Sequence, residues 1–469
     1  MTAETASKEQ LEGNIRRFII FRLFYTARFY YPIFTILFLD YGLTLEQFAI
    51  LNMVWAVSIV LAEVPSGALA DIVGRKRLLI FAALLMVMEM ALIVFAPIDA
   101  SSLLFLMFFG NRICSGLSEA AASGADEALA YDSLKALGRE DEWAQVLERT
   151  TFVVSIGFFT TMILGAFAYD PAIVNRVLAL LNTSWQLPDS LVIRLPVILT
   201  LLTAGVVLVT AMGFYDLDAK TDSGADQGDQ GRAGVSLLEP FRQILSAARW
   251  TVGHRFVLFV ILAALALDSV ARQFAVLSSE YYRLIDIPVS WFGFVGAGMS
   301  LIGILNARIS RYLVSNRSPL FNFLVLSVLL MSGLVGISFA VPYFGVLFAV
   351  GAFAMMGMVQ FQASYYLNRE ADSDIRATVL SFKGLALNLG LGIASLLYTA
   401  LVASLRNAQE AGMSEEIISE RVFVDSLAAF PMYYVVLFVV LVIAAKLSIG
   451  NCAIFFKSPS EQSRGGKCV

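Results

Sequence analysis

Gly67-Ala-Leu-Ala-Asp71-Ile-Val-Gly74-Arg75-Lys76-Arg77 is a short polar interruption between two apolar runs, at about 44–66 and 78–97. Its glycines permit a tight turn. Asp71 suits a helix start or a basic partner, and Arg75, Lys76 and Arg77 mark the membrane face that retains positive charge. Such a loop makes sense only if the flanking runs cross a bilayer. A hydrocarbon core of about 30 Å needs about 20 apolar residues per helix, and both runs supply them.

The rest of the chain agrees. It has 469 residues, 58% hydrophobic and 15% charged, with a mean hydropathy of +0.76. A soluble domain carries about 25% charged residues, so this chain cannot coat a water-facing surface. Ten further apolar runs fall at about 18–39, 103–124, 146–169, 191–214, 255–278, 288–312, 319–341, 343–367, 377–402 and 430–449. An open chain in lipid must satisfy its backbone within each segment, so the runs are helices and not strands. The expectation is an all-α membrane protein of twelve transmembrane helices.

Lys and Arg gather on the side that holds the N-terminus; the other side keeps only Arg176, Arg194, Arg283, Arg406 and Arg421. Positive charge stays inside, so both termini are expected in the cytoplasm and the protein in the plasma membrane, the inner membrane if the source is bacterial. The N-terminal residues, Met1 to Arg17, are polar and lack a signal's apolar core. A net charge of −4 gives no field for nucleic acid. Cys114, Cys452 and Cys468 have no disulfide or metal spacing, and the single histidine, His254, reads as interfacial. No phosphate loop or hydrolase elbow is present, so neither an enzyme nor a cofactor is expected.

The longest polar gap, Asp216 to Gly234, reads as a flexible linker, and Ser236–Trp250 as an amphipathic helix on the inner leaflet. The expected division is 1–215, a first six-helix bundle; 216–250, linker and surface helix; 251–450, a second six-helix bundle; 451–469, a tail. An offset of 244 lays the first span on the seventh and Arg28 on Arg272, which suggests two pseudo-symmetric halves with a pathway between them.

On these residues the chain resembles the major facilitator superfamily, whose loop motif is G-x-x-x-D-x-x-G-R-K/R. The resemblance implies that Gly67, Asp71, Gly74 and Arg75 form a conformational latch between the halves. Arg112-Ile-Cys-Ser-Gly116 resembles the family's R-x-x-x-G pattern in the fourth span, whose arginine is associated with proton coupling. Glu63-Val-Pro-Ser-Gly67, Asp126-Glu-Ala-Leu-Ala-Tyr-Asp132 and Arg376-Ala-Thr-Val-Leu-Ser381 look like a general, largely bacterial branch. Two features depart from the pattern. The fifth span, Ser155 to Gly165, lacks the proline–glycine motif of many drug antiporters. The loop Arg311–Pro319 lacks the aspartate and glycines of a second latch.

Charges within the spans point to the candidate site, since ionisable groups in hydrocarbon are costly. Arg28 lies about 15 Å into the first span at 1.5 Å per residue, Arg112 reaches a similar depth, and Arg272 lies one turn from Asp268. In the superfamily, spans one, four, seven and ten line the pathway. Arg28, Arg272 and Arg112 are therefore substrate-binding candidates, since guanidinium forks match carboxylate or phosphate, with Tyr25, Tyr30, Tyr31 and Gln360 beside them. Paired arginines also resemble the organic-phosphate branch. The alternative is internal pairing: Arg272 with Asp268, and Arg28 with Glu119 or Glu63. Glu119, Asp268 and Glu63 are the proton-carrying candidates; Glu63 also reads as an anchor before the Pro65 bend. The expected function is secondary active transport of a small organic, anionic or amphiphilic solute by alternating access, proton-coupled or exchange-driven, in a monomer whose partners are the solute, H+ and lipid. The alternative is proton-driven multidrug efflux.

Overall fold

The computed structural model describes residues 3–181, 185–215, 239–371, 373–409 and 413–449. The expected linker 216–234, Cys452 and Cys468 lie outside the described residues. All regular structure among the described residues is helical. In chain order the helices are α1 (Ala3–Thr26), α2 (Phe34–Asp40), α3 (Leu45–Val73), α4 (Arg75–Val94), α5 (Ser102–Ala122), α6 (Ala125–Ala136) and α7 (Trp143–Ala168). Then come α8 (Pro171–Leu180), α9 (Asp189–Val192), α10 (Leu195–Gly213), α11 (Glu239–Gly253), α12 (Arg255–Leu284) and α13 (Val289–Asn316). The last four are α14 (Pro319–Ser338), α15 (Gly345–Glu370), α16 (Ser373–Asn407) and α17 (Glu415–Ile449). Among the described residues nine helices are long and apolar enough to cross a membrane. With α1–α2, α5 and α13 they account for twelve spans.

The chain folds into two compact units. The first comprises Met1–Gly42, Val57–Phe241 and Val289–Ala297; the second comprises Leu43–Ala56, Arg242–Pro288 and Gly298–Val469. In the first, Phe18 and Phe21 of α1 pack with Leu79, Ala82 and Met86 of α4, Leu129 of α6, and Ala204 and Val207 of α10. In the second, α12 is the central helix and packs on α15, α16 and α17. Its Leu267, Phe274 and Leu277 are buried, as are Met355 and Val359 of α15 and Leu427 and Phe430 of α17, and Phe274 meets Phe430 edge-on with ring centroids 6.4 Å apart. Close-packed interiors of this kind hold polar side chains in fixed positions.

Two sequence expectations change. The first span is not one helix over 18–39: α1 ends at Thr26, residues 27–30 are unwound, a 3-10 turn covers Tyr31–Ile33, and α2 follows. Pro32 supplies the reason. It has no N–H, and in a continuous helix its ring would clash with the carbonyl four residues back, which is that of Arg28. The Arg28 carbonyl accepts instead from the Tyr31 N–H at 3.4 Å. The Phe29 N–H, freed by the break, donates to Thr200 Oγ1 of α10 at 3.1 Å.

The loop of the signature motif is also shorter than expected. Helix α3 runs through Gly67 to Val73, past Pro65, and Gly74 alone makes the turn at φ 93°. That conformation is open to glycine and strained for a side chain. The amphipathic stretch forms α11, separated from α12 at His254, whose ring stacks on Trp250 at 3.8 Å.

Candidate functional site

The unwound segment positions Arg28. Its Nε donates to the Tyr25 carbonyl at 3.3 Å, so the guanidinium covers the exposed end of α1, where a cation complements the helix dipole. Its Nη1 donates to Tyr30 Oη at 3.2 Å and to Glu89 Oε1 at 2.9 Å. The group lies over the rings of Tyr25 and Tyr31, 5.5 and 5.8 Å from their centroids. Arg28 is 4% exposed and Glu89 is 0% exposed, so this pair is fully withdrawn from solvent.

Arg112 of α5 approaches the same carboxylate differently. Its Nε donates to Asn111 Oδ1 at 2.8 Å, and Asn111 Nδ2 donates to the Glu89 carbonyl at 2.8 Å. Arg112 Nη2 stands 3.9 Å from Glu89 Oε1, too long for a hydrogen bond. The guanidinium is sandwiched by Phe34 and Phe38, each 5.2 Å away. Arg112 Nη2 and Glu89 Oε2 are both buried without a hydrogen-bond partner. The first unit thus buries two cations around one carboxylate.

The second unit repeats that ratio with other residues. Asp268 of α12 is 1% exposed. It pairs with Arg272 Nη2 at 2.5 Å and accepts from Gln360 Nε2 of α15 at 3.2 Å. Arg272 Nη1 donates to Asn388 Oδ1 of α16 at 3.0 Å. Lys383, also on α16, donates to Gln360 Oε1 at 3.4 Å and Ser364 Oγ at 3.1 Å. Asp268, Arg272, Gln360 and Lys383 therefore form one connected network.

The remaining candidates scatter. Tyr25 Oη shares a hydrogen bond of 2.8 Å with Ser118 Oγ, and Tyr31 packs edge-on to Tyr30. Glu119 is exposed on α5. Glu63 is half-buried on α3, and its carbonyl accepts from Ser66 Oγ at 2.8 Å beside Pro65. Gly67 and Gly74 sit as described, and Arg75 pairs with Asp132 of α6 and donates to the Ala128 carbonyl at 3.2 Å. The side chain of Asp71 lies outside the described residues.

The internal pairing of Arg272 with Asp268 is as expected. The pairing of Arg28 is not: it takes Glu89, from the third span, in place of Glu119 or Glu63. Glu89, Asn111, Lys383 and Asn388 are all absent from the sequence-based candidates. The signal for Glu89 is there, because it is the single charge inside the apolar run 78–97 and the same cost applies to it as to the arginines. Lys383 counts in sequence among the charges that set orientation, although it falls inside its own apolar run.

Outside the spans, α6 is anchored by Asp126, 1% exposed and 3.0 Å from Arg22 Nε of α1. Burial lifts the Asp126 carboxyl to about 6, against the opposing pull of Arg22. Among the described residues no cluster of His, Cys, Asp and Glu could hold a metal ion.

No curated protein sequence matches the chain. Its fold is similar to that of a bacterial homologue of the human lysosomal transporter Spinster, solved inward-facing and unoccupied, with a TM-score of 0.65 and 12% identity over 98% of this chain and 100% of that one. The nucleoside transporter NupG is similar with a TM-score of 0.63 and 12% identity, covering 92% of this chain and 99% of the other. A D-xylose–proton symporter is similar at 0.58 and 13%, covering 96% and 98%. The sequence pattern of the Major Facilitator Superfamily matches residues 18–395, most of the chain. Twelve spans, buried charge within them and that match give the assignment: the chain belongs to the Major Facilitator Superfamily and is a membrane transporter, not an enzyme.

Proposed function

We propose that the protein moves a small organic, anionic or amphiphilic solute by alternating access, coupled to protons or to an exchanged anion. One observation carries this reading. Each unit buries one carboxylate against two cationic side chains, Glu89 with Arg28 and Arg112, and Asp268 with Arg272 and Lys383. Each of these three-residue clusters thus carries one net positive charge; around Glu89 both guanidiniums are buried, and a buried cation in excess calls for an anionic partner. Guanidinium forks suit a carboxylate or phosphate.

In this reading Arg28, Arg112 and Arg272 meet the solute's acidic group, and Tyr25, Tyr31 and Gln360 position it. Asp268, Glu119 and Glu63 carry protons, and Gly67, Asp71, Gly74 and Arg75 act as the latch. The protein works as a monomer in the plasma membrane with both termini cytoplasmic. Uptake of a panel of organic anions into proteoliposomes under an imposed proton gradient tests it. At least one anion should accumulate, and Arg112→Lys and Arg272→Lys should each lower the rate tenfold or more. Movement of neutral or cationic lipophiles alone would support multidrug efflux and reject the anion.

A further inference from the structure

Among the described residues, Lys383 is the cation of the two clusters that touches no carboxylate. Its Nζ donates to Gln360 Oε1 at 3.4 Å and to Ser364 Oγ at 3.1 Å, both on α15 and both neutral. The carboxylate of its network, Asp268, is in contact with Arg272 at 2.5 Å. Lys383 is joined to it through the Gln360 amide, whose Nε2 donates to Asp268 Oδ1 at 3.2 Å. An ammonium has three donors, so one N–H of Lys383 is left over.

The placement of that charge is also unusual. Lys383 lies some six residues into the apolar run at 377–402, about 9 Å at 1.5 Å per residue. Near a helix end a lysine stem ordinarily carries its charge out to the membrane interface. Here it turns onto α15 instead, and an ionisable group kept within a span marks a functional position.

Exposure gives the network an order. Asp268 is 1% exposed, whereas Arg272, Gln360, Ser364, Lys383 and Asn388 are half-buried. The carboxylate therefore lies behind the cations and amides. A solute that reaches this part of the second unit meets positive charge first, and a cationic solute is repelled before it meets Asp268.

We propose that Lys383 is a specificity-determining contact of the second unit, its remaining N–H taking an acidic oxygen of the solute. This rests on the anionic reading above and names the side chain that reads the charge there. The ligand class is an organic carboxylate, whose single charge brings Asp268, Arg272 and Lys383 from one net positive charge to neutrality. An ammonium is a point charge without a fork. The contact therefore discriminates a carboxylate from its neutral amide and leaves the body of the solute to other residues.

The test uses sodium benzoate, with sodium acetate as a second probe and neutral benzamide as the control. Each is added to the full-length protein in detergent at fixed ionic strength, and affinity is read from the shift in melting temperature. The wild type should bind benzoate or acetate saturably and benzamide not at all. Lys383→Gln should weaken that binding at least tenfold, since a hydrogen bond to a charged group is lost. Lys383→Arg, which keeps the charge, should retain most of the affinity. Without ligand, Lys383→Gln should melt no lower than the wild type. Gln can still donate to α15, and a cation without a carboxylate in contact has been removed. A lysine that only ties α16 to α15 predicts the reverse, a lower melting temperature with benzoate affinity unchanged. That result would overturn the proposal, as would absence of saturable binding of both probes to the wild type. Lys383→Met replaces Lys383→Gln if the latter does not melt cooperatively, and failure of both would make the lysine a structural tie. Binding is read here without flux. If an anion is transported while Lys383→Gln changes neither its uptake nor benzoate affinity, the transport reading stands and the contact falls. If Lys383→Gln loses benzoate while no anion is transported, the contact stands and the transport reading falls.

Discussion

Arg406, near the end of α16, is bound to Glu46, 360 positions earlier in the chain: its Nε lies 2.6 Å from Oε1 and its Nη2 3.5 Å from Oε2. A second carboxylate, Glu415 at the start of α17, accepts from Nη1 at 2.8 Å. Both partners of the long-range pair are partly shielded, and a two-pronged geometry is the one in which such pairs gain most. Arg406→Gln and Glu46→Gln should each lower the melting temperature. The double variant should lose less than the sum of the two, a coupling of about 1 kcal/mol in a double-mutant cycle. Strict additivity would show that the pair contributes nothing.

Gly165 of α7 lies directly against the Phe29 carbonyl, so that a methyl group there would overlap the oxygen. Gly165→Ala must push α7 away from the unwound segment, and overpacking of this kind costs about 1–3 kcal/mol. The expected outcome is a lower melting temperature together with reduced anion uptake. Gly205→Ala, where a methyl group would meet nothing within 4 Å, should leave the melting temperature nearly unchanged.

Asp126 gives a pH dependence outside the spans. Folding lifts its carboxyl from 3.8 to about 6 through burial. Between those values the folded chain holds a proton that the unfolded chain has released. Stability therefore falls as pH rises from about 4 to about 6 and is flat above. Two units correspond to about 3 kcal/mol. The melting temperature of Asp126→Asn should change less than that of the wild type across this window, and equal slopes would rule the residue out.

Asp268→Asn should be more harmful than its isosteric change suggests. It leaves Arg272 and Lys383 in one network without their carboxylate. Arg272 is one-fifth exposed and can turn toward water, so the loss should be about 2 kcal/mol, below the 3–5 kcal/mol of a fully buried pair broken on one side. Arg272→Gln in the same chain should restore part of the lost melting temperature, because the remaining positive charge is then single.

Much of the fold can be read from the order of residues because lipid is an unforgiving solvent. Apolar run length and the requirement for internal hydrogen bonds together leave few choices, and the runs around Gly67–Arg77 yield α3 and α4, with α3 extended into the motif as far as Val73. The break in the first span is hidden by averaging over some twenty apolar positions. Only Pro32, taken with the carbonyl four residues before it, reveals it. The site divides in the same way. Intramembrane arginines stand out in a sequence, and the Asp268–Arg272 pair is one helical turn and so is local. The pairing of Arg28 with Glu89 spans 61 positions, and no periodicity announces which carboxylate a given arginine will face. The Lys383 network fails to show for a further reason: a lysine in an apolar run near its inner end serves equally well as an orientation signal.

The hydrogen bond from the Phe29 N–H to Thr200 has a consequence for biogenesis. In hydrocarbon an amide left open is expensive, and the hydroxyl that closes this one is encoded 171 residues later. When the ribosome delivers the first span, that amide has no mate within its own segment, and the two helical pieces either side of it are not locked together. Their final arrangement waits for the sixth span to be inserted, so this segment is among the last in its bundle to mature.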